Sequence, residues 1–542
     1  MRGLGVFVLL LLIPVFGFAQ EPASTQELLL KLQQRLDSQE EELKRLRAEQ
    51  QELRQQLAAR PAAEATAPPD VAPSTSRAQQ TPSPQPIPAS PKVAAQSATT
   101  SDAPWWRSDK LHIGGYGSFR FEAGDAPGQA SSFTFRRFVT TTDARLTDRL
   151  RVYSEFELER LVELELEKGA ERTAGGVKFE SEVEGNAGAE ISLEQLWAQY
   201  DLGKGQAIRG GLILPPLGRF NLLHDDDYWD IARRTLIDRS VPAIPVAAAW
   251  RELGVGLVGA VDVGETGKLQ YQAYVMNGAA LDFNIENIVQ TRTPSRNKLE
   301  LEAALGMASG AANGTQNSEA FGWRVAYSPT LAGELAVSGY SGKYTPSFIA
   351  SNERVHSIAA DGKWRFGSFE IEGEYVYSDF GKTERVAQSL AEAVNVSASE
   401  TSSGETADLE NEIEIELAGL AKRRWGFWFD AKYHWRPDWL KKSFLGRGFE
   451  DPQLIPIVRY ERVWLDRHID ELAFDAGVIT DLVTQNLSQD RFTIGFNYRP
   501  TLQFGFQMAY ERNNRREGDR LLFPDTDADN TNGLLMGWTF SF

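Results

Sequence analysis

The sequence predicts an all-β chain: a transmembrane antiparallel β-barrel of about 16 strands, preceded by an α-helical coiled coil and a disordered linker. Three observations predict it. The chain ends on a strand whose faces differ: Leu534, Met536, Trp538, Phe540 and Phe542 alternate with Leu535, Gly537, Thr539 and Ser541. This is the period-two pattern of a strand with one apolar face. An aromatic strand at an open sheet edge invites aggregation in water, and closure into a barrel against lipid removes that hazard. Segments of about ten residues with the same alternation recur from Trp105 onward, with aromatics at the ends of their apolar faces, as at Trp425, Tyr433 and Trp435. Short connections then alternate with long polar ones.

The elements follow in chain order. Arg2 precedes an apolar run from Val6 to Phe18, and Gly17-Phe18-Ala19 offers small residues before Gln20. Residues 1–19 therefore read as a secretory signal peptide. The alternative, a membrane anchor, requires roughly 20 apolar residues, and this run has 13. No cysteine occurs, which excludes a lipoprotein anchor, disulfides and thiolate chemistry. No later run reaches the length of a spanning helix.

Residues 26–59 carry a heptad seam: Leu29, Leu32, Leu36, Gln39, Leu43, Leu46, Gln50, Leu53 and Leu57. A sustained leucine seam flanked by Glu, Gln, Lys and Arg predicts a coiled coil roughly 50 Å long. The alternative is a lone amphipathic helix packed on the barrel. Residues 60–104 spread ten prolines among Ala, Ser, Thr and Gln. That composition cannot bury a core and predicts an extended linker.

Residues 105–542 form the predicted barrel. Strands are expected near 112–122, 131–146, 149–160, 191–202, 206–214, 251–263, 268–277, 320–328, 334–343, 355–365, 369–380, 425–435, 455–465, 491–499, 502–511 and 532–542. A spare segment at 469–480 gives an alternative count of 18. Even parity puts both barrel ends, and so the coiled coil, on the periplasmic side. Long external loops are expected at 161–190, 215–250, 278–319, 381–422, 466–490 and 513–531. A soluble β-sandwich also alternates, but its outer faces are polar, whereas here the aromatic ends resemble interfacial girdles.

A barrel of this size leaves an aqueous channel, so transport is the expected function and lumen charges carry the chemistry. Alternation points Arg137, Arg145, Arg151, Arg324, Lys432, Arg491 and Arg499 inward. Glu155, Glu157, Glu159, Glu370, Glu372, Glu374 and Asp430 share that side. The 215–250 loop holds Arg219, Arg233, Arg234 and Arg239 among acids and aromatics. Folded inward, it would narrow the pore and select anions through arginine; left outside, it would be a solvated loop of local ion pairs. Together these eleven basic residues are the candidate pore-lining and constriction set. The Asp225-Asp226-Asp227 run is a weak cation motif, because a consecutive triplet is not a ligand spacing. His112, His224, His356, His434 and His468 are scattered without metal-ligand spacing. No metal, cofactor or catalytic constellation is expected, and the chain does not read as an enzyme. The net charge is −18, which offers no support for nucleic-acid binding.

His112-Ile113-Gly114-Gly115-Tyr116-Gly117, Phe135-Arg136-Arg137, Arg251-Glu252-Leu253-Gly254-Val255, Tyr498-Arg499-Pro500 and the terminal Phe542 resemble motifs of the phosphate-selective porin O and P family. The resemblance spans about 105–542, with the N-terminal coiled coil as an addition. It implies a sixteen-stranded homotrimer in the outer membrane of a Gram-negative-type bacterium, passing small anions such as phosphate by diffusion. The named members' ladder of lumen arginines does not map position by position onto this chain. The alternative function is a structural tether, in which the coiled coil reaches a cell-wall or periplasmic partner.

Overall fold

The computed structural model describes residues 110–542, except 130, 161–163, 174–175, 186–189, 240–241, 293–295, 311–318, 348, 391, 393–409 and 476–477. The signal peptide, coiled coil and linker expected at 1–19, 26–59 and 60–104 lie outside the described residues.

The strands are β1 (Leu111–Gly124), β2 (Ser132–Arg145), β3 (Leu150–Glu159), β4 (Leu164–Thr173), β5 (Gly176–Gly185), β6 (Glu190–Gly203), β7 (Gln206–Ile213) and β8 (Glu252–Val263). Then come β9 (Gly267–Met276), β10 (Ala280–Arg292), β11 (Arg296–Ala308), β12 (Ala320–Thr330), β13 (Gly333–Lys343), β14 (Arg354–Phe366), β15 (Phe369–Phe380) and β16 (Glu410–Ala418). The chain finishes with β17 (Ala421–Tyr433), β18 (Gln453–Asp475), β19 (Val478–Thr501), β20 (Phe504–Glu517), β21 (Leu521–Leu522), β22 (Asp525–Thr526) and β23 (Asn530–Ser541).

Sixteen of these strands close a ring in the order β1, β2, β3, β6, β7, β8, β9, β12, β13, β14, β15, β17, β18, β19, β20, β23 and back to β1. Every neighbouring pair in the ring is antiparallel. The ring matches the sixteen expected segments. The eighteen-strand alternative fails because 469–480 turns back within its own hairpin. Leu472 pairs with Leu482 and Ala473 with Asp481, so β18 and β19 are over-long rather than four strands.

Four regions expected to be loops also hold strands outside the ring, the last being the short β21–β22 pair within 513–531. β4 and β5 form a separate hairpin, and β10 pairs with β11. β16 lies parallel to β11 and antiparallel to β18. The sequences of β4, β5 and β16 alternate, as in Glu410-Asn411-Glu412-Ile413-Glu414-Ile415, but glutamate crowds one face of each. β11 does carry apolar residues at period two, Leu299, Leu301, Ala303, Leu305 and Met307, which the loop reading of 278–319 passed over.

The ring is apolar outside and charged inside. On β17, Phe429 and Tyr433 are exposed outward, while Trp428, Asp430 and Lys432 are buried inward. Trp425 stacks on Trp464 of the next strand, with ring centroids 3.6 Å apart. Leaving a Leu, Ile or Phe side chain in water forgoes about 1.5–3 kcal/mol of burial. An outer face made of such side chains is therefore suited to an apolar surrounding. Short turns, among them Gly203-Lys204-Gly205 and Gly367-Ser368, gather at one end of the ring, where β1 begins and β23 ends.

Two of the ring's β-bulges lie beside the inward loop's partners. Ser118 pairs with Arg137 and Phe119 with Phe135, so Arg136 is the extra residue. Glu155 pairs with Gln195 and Phe156 with Leu193, so Glu194 is extra. An extra residue re-aims a side chain, and Arg136 and Glu194 are buried as a result.

Candidate functional site

The connection between β7 and β8, residues 214–251, turns into the barrel. It begins apolar and proline-rich, Leu214-Pro215-Pro216-Leu217, which favours an extended, non-helical path. Leu217, Phe220, Trp229, Ile237, Ala243, Ile244 and Trp250 of this loop form one apolar cluster with wall residues that include Trp197, Tyr274, Tyr340, Val376 and Trp428. The hydrophobic core of the barrel thus lies in its lumen and is built around the loop.

Two features close the base of the loop. Asn221 donates to the Pro215 carbonyl at 2.9 Å and accepts from the Trp250 N–H at 2.9 Å, clamping its two ends together. Gly218 has φ +71°, and a Cβ there would lie 1.8 Å from Glu374 Oε1. Only glycine takes both that left-handed backbone and that approach. The Gly218 N–H donates to Ser338 Oγ at 2.9 Å, and the Phe220 N–H donates to Glu374 Oε2 at 2.8 Å.

Further along, ionic contacts tie the loop to strands around the ring. Arg219 donates to Glu372 of β15 at 2.6 Å and to Glu334 of β13 at 3.1 Å. Ser118 of β1 donates to Asp226 at 2.7 Å. Asp230 accepts from Asn497 at 2.8 Å and pairs with Lys432 at 3.1 Å and Arg499 at 3.3 Å. Arg233 makes a two-pronged pair with Glu511 of β20, at 3.0 and 2.9 Å. Arg459 holds Asp430 with two bonds and donates to the Arg233 carbonyl at 3.1 Å. Glu461 accepts from Arg491 at 2.6 Å and from the Leu236 N–H at 3.0 Å. The inward face of β23 is small where the loop passes: a Cβ on Gly537 would lie 2.8 Å from that of Ala232.

Burial raises the carboxyl pKa of Asp230, but Lys432, Arg499 and the Asn497 amide outweigh it and hold the group well below the usual carboxylate range.

The eleven candidate basic residues divide by depth. Arg137, Arg219, Arg233, Arg234, Arg324, Lys432 and Arg491 are buried in ion pairs. Arg499 is partly buried on Asp230, and Arg239 is partly exposed in the loop. Arg145 and Arg151 lie toward the short-turn end. Arg145 is exposed, and Arg151 grips Asp143 through two bonds of 2.8 and 2.6 Å.

Several participants escaped the sequence reading. Arg209 of β7 lies 4.0 Å over the Trp197 ring and donates to the neutral oxygens of Gln199 and Tyr274. Arg459 and Glu461 alternate inward on β18 with Ile457 and Val463, and that mixed face hid them. Glu194, brought inward by its bulge, meets His224 at 2.9 Å. So one of the scattered histidines does join a cluster of possible ligands, Glu194, His224 and Asp225. The signal for Glu194 was the doubled polar step Glu194-Gln195 in an alternating strand.

No family model matches the chain. An uncharacterized protein of Aquifex aeolicus (strain VF5) is 24% identical over 168 residues, 31% of this chain. The chain spans 32% of that relative's length. Among solved structures, an anion-selective porin from Comamonas acidovorans matches 80% of this chain and 99% of its own, at 10% identity and TM-score 0.43. OmpF of Salmonella typhi, in complex with daunomycin, matches 80% and 97%, at 11% identity and TM-score 0.42. The outer-membrane channel DcaP of Acinetobacter baumannii matches 80% and 97%, at 9% identity and TM-score 0.40.

Proposed function

We propose that this chain is an outer-membrane porin, a homotrimer in the lipid bilayer that lets small polar solutes diffuse through a constricted lumen. One observation carries the reading: a closed ring, apolar outside and charged inside, is crossed by a loop held to its wall by ion pairs. A soluble storage or scaffold role would not need lipid-facing apolar strands around a charged interior. Because the loop and its partners fill much of the lumen, the conductance is expected to be low for a sixteen-stranded barrel.

Anions, phosphate among them, are the proposed solutes. The deep arginines are neutralised by carboxylates, so a preference must come from cations whose charge is not cancelled nearby. Arg209, with neutral partners, and exposed Arg145 are such groups. The resemblance to phosphate-selective porins points the same way.

Planar-bilayer recording of the purified protein tests the reading. Discrete conductance steps are expected, with a reversal potential in a salt gradient that favours the anion. Arg209→Gln is expected to move that potential toward the cation value while leaving the steps intact. Absence of channel steps overturns the porin reading; a cation-favouring wild type overturns only the choice of solute.

A further inference from the structure

One cluster at the loop differs from the ion pairs that dock it. His224 Nε2 lies 2.9 Å from Glu194 Oε2 and 3.9 Å from Asp225 Oδ1. The three atoms all lie within 4.8 Å of one another. Donors bound to a single zinc ion at about 2.1 Å stand roughly 3.4 Å apart. Small side-chain rotations would let these three share one ion.

Three independent observations point to a ligand. The first is the bulge that turns Glu194 inward beside Gln195; bulges of this kind recur where a side chain must be re-aimed. The second is the outer partner of the imidazole. His224 Nδ1 lies 3.1 Å from the Asn221 carbonyl, so a proton on Nδ1 leaves Nε2 free as a donor atom toward the carboxylates. That outer hydrogen bond is the usual support of a metal-bound histidine. The third is imperfect pairing. Asp225 Oδ1 and the hydroxyl of Tyr116 face one another, but neither makes a well-formed hydrogen bond. An ion on Asp225 would complete its coordination and leave the Tyr116 hydroxyl as its outer partner.

Charge favours a cation as well. Glu155 and Glu157 of β3 are buried and lie within electrostatic reach of His224. The cation beside Glu157 is Arg137, which is shared with Glu159. Arg137 and Arg234 also act on Glu194, and Arg137 on Asp225, yet four carboxylates around one imidazole still outnumber these two cations, a balance that favours a divalent ion.

We propose that Glu194, His224 and Asp225 bind a divalent transition-metal ion, with zinc favoured by the donor set. One imidazole nitrogen and two carboxylates suit zinc and, more weakly, manganese, whereas calcium and magnesium prefer all-oxygen shells. The ion would fasten the turn at His224 to β6, whereas Asp230 is held by β17 and β19. The inference does not depend on conduction.

The test uses full-length, tag-free protein, stripped with EDTA and titrated with ZnCl2 and MnCl2 by calorimetry. One zinc per chain is expected, with weaker manganese binding. CoCl2 loading is expected to give visible bands of a mixed nitrogen and oxygen site. Glu194→Gln, His224→Gln and Asp225→Asn are each expected to weaken zinc about tenfold or more, provided they retain the heat-modifiable migration of a folded barrel. If His224→Gln does not fold, the partly exposed Asp225→Asn decides. No stoichiometric zinc binding by the wild type overturns the proposal, and so does unchanged affinity in the folded variants.

Discussion

At the residue scale, most lumen basic groups are matched to an acid. Arg459 donates two hydrogen bonds to Asp430 while both are almost wholly buried, as Arg233 does to Glu511. Such geometry is what makes a buried pair tolerable, because desolvation otherwise exceeds the attraction. Alternation alone revealed that Arg137, Arg324, Lys432 and Arg491 point inward. It could not reveal their partners, since these come from other strands whose register the sequence does not encode. Gly218 is the sharpest single constraint. Replacing it with alanine forces a side chain into the left-handed region and against Glu374. Gly218→Ala is expected to cost at least about 1–2 kcal/mol, read as a lower midpoint of urea unfolding, with a larger single-channel conductance. An unchanged midpoint would mean that Glu374 yields without loss.

At the element scale, the inward loop behaves as a docked part with several anchors. Asp230 is one that draws on three wall neighbours. Its carboxyl lies below the ordinary value in the folded protein, so its contribution is complete above the unfolded value, about 3.9. The contribution is lost only as pH falls through the still lower folded value. Conductance and trypsin resistance of the loop are therefore expected to hold from pH 7 down to about pH 4.5, and to fail only in stronger acid. Asp230→Asn is expected to loosen the loop at every pH. A sharp wild-type transition between about pH 5 and 6 would remove Asp230 from this role. The ring strands were legible because each carries a long apolar face at period two. The bulges at Arg136 and Glu194 were not, because one extra residue leaves composition unchanged and shows only in pairing. β4, β5 and β16 were read as loop because glutamate crowds one face of each, whereas β10 and β11 carry apolar alternation that the loop reading of 278–319 passed over.

At the scale of the whole molecule, the ring and the 214–251 loop together set the passage, so distant segments should matter little to it. Deleting residues 20–104 is expected to leave unit conductance and ion preference unchanged in planar bilayers. A changed unit conductance would show that the N-terminal segment reaches the lumen. Loss of envelope integrity with unchanged conductance would support the tether reading for that segment.

The closure of β23 onto β1 has a consequence for how the ring forms. Asn532 bonds to Asp125, 407 positions earlier, and Phe542 exchanges main-chain hydrogen bonds with Gly115. The seam therefore joins the first strand of the ring to the sixteenth. Neighbouring hairpins of the ring need only local chain, but the β1–β23 seam needs both ends of the ring, and closure over such a distance is slow. Until β23 docks, β1 presents an unsatisfied edge that invites wrong partners. Closing this ring therefore depends on a single long-range step.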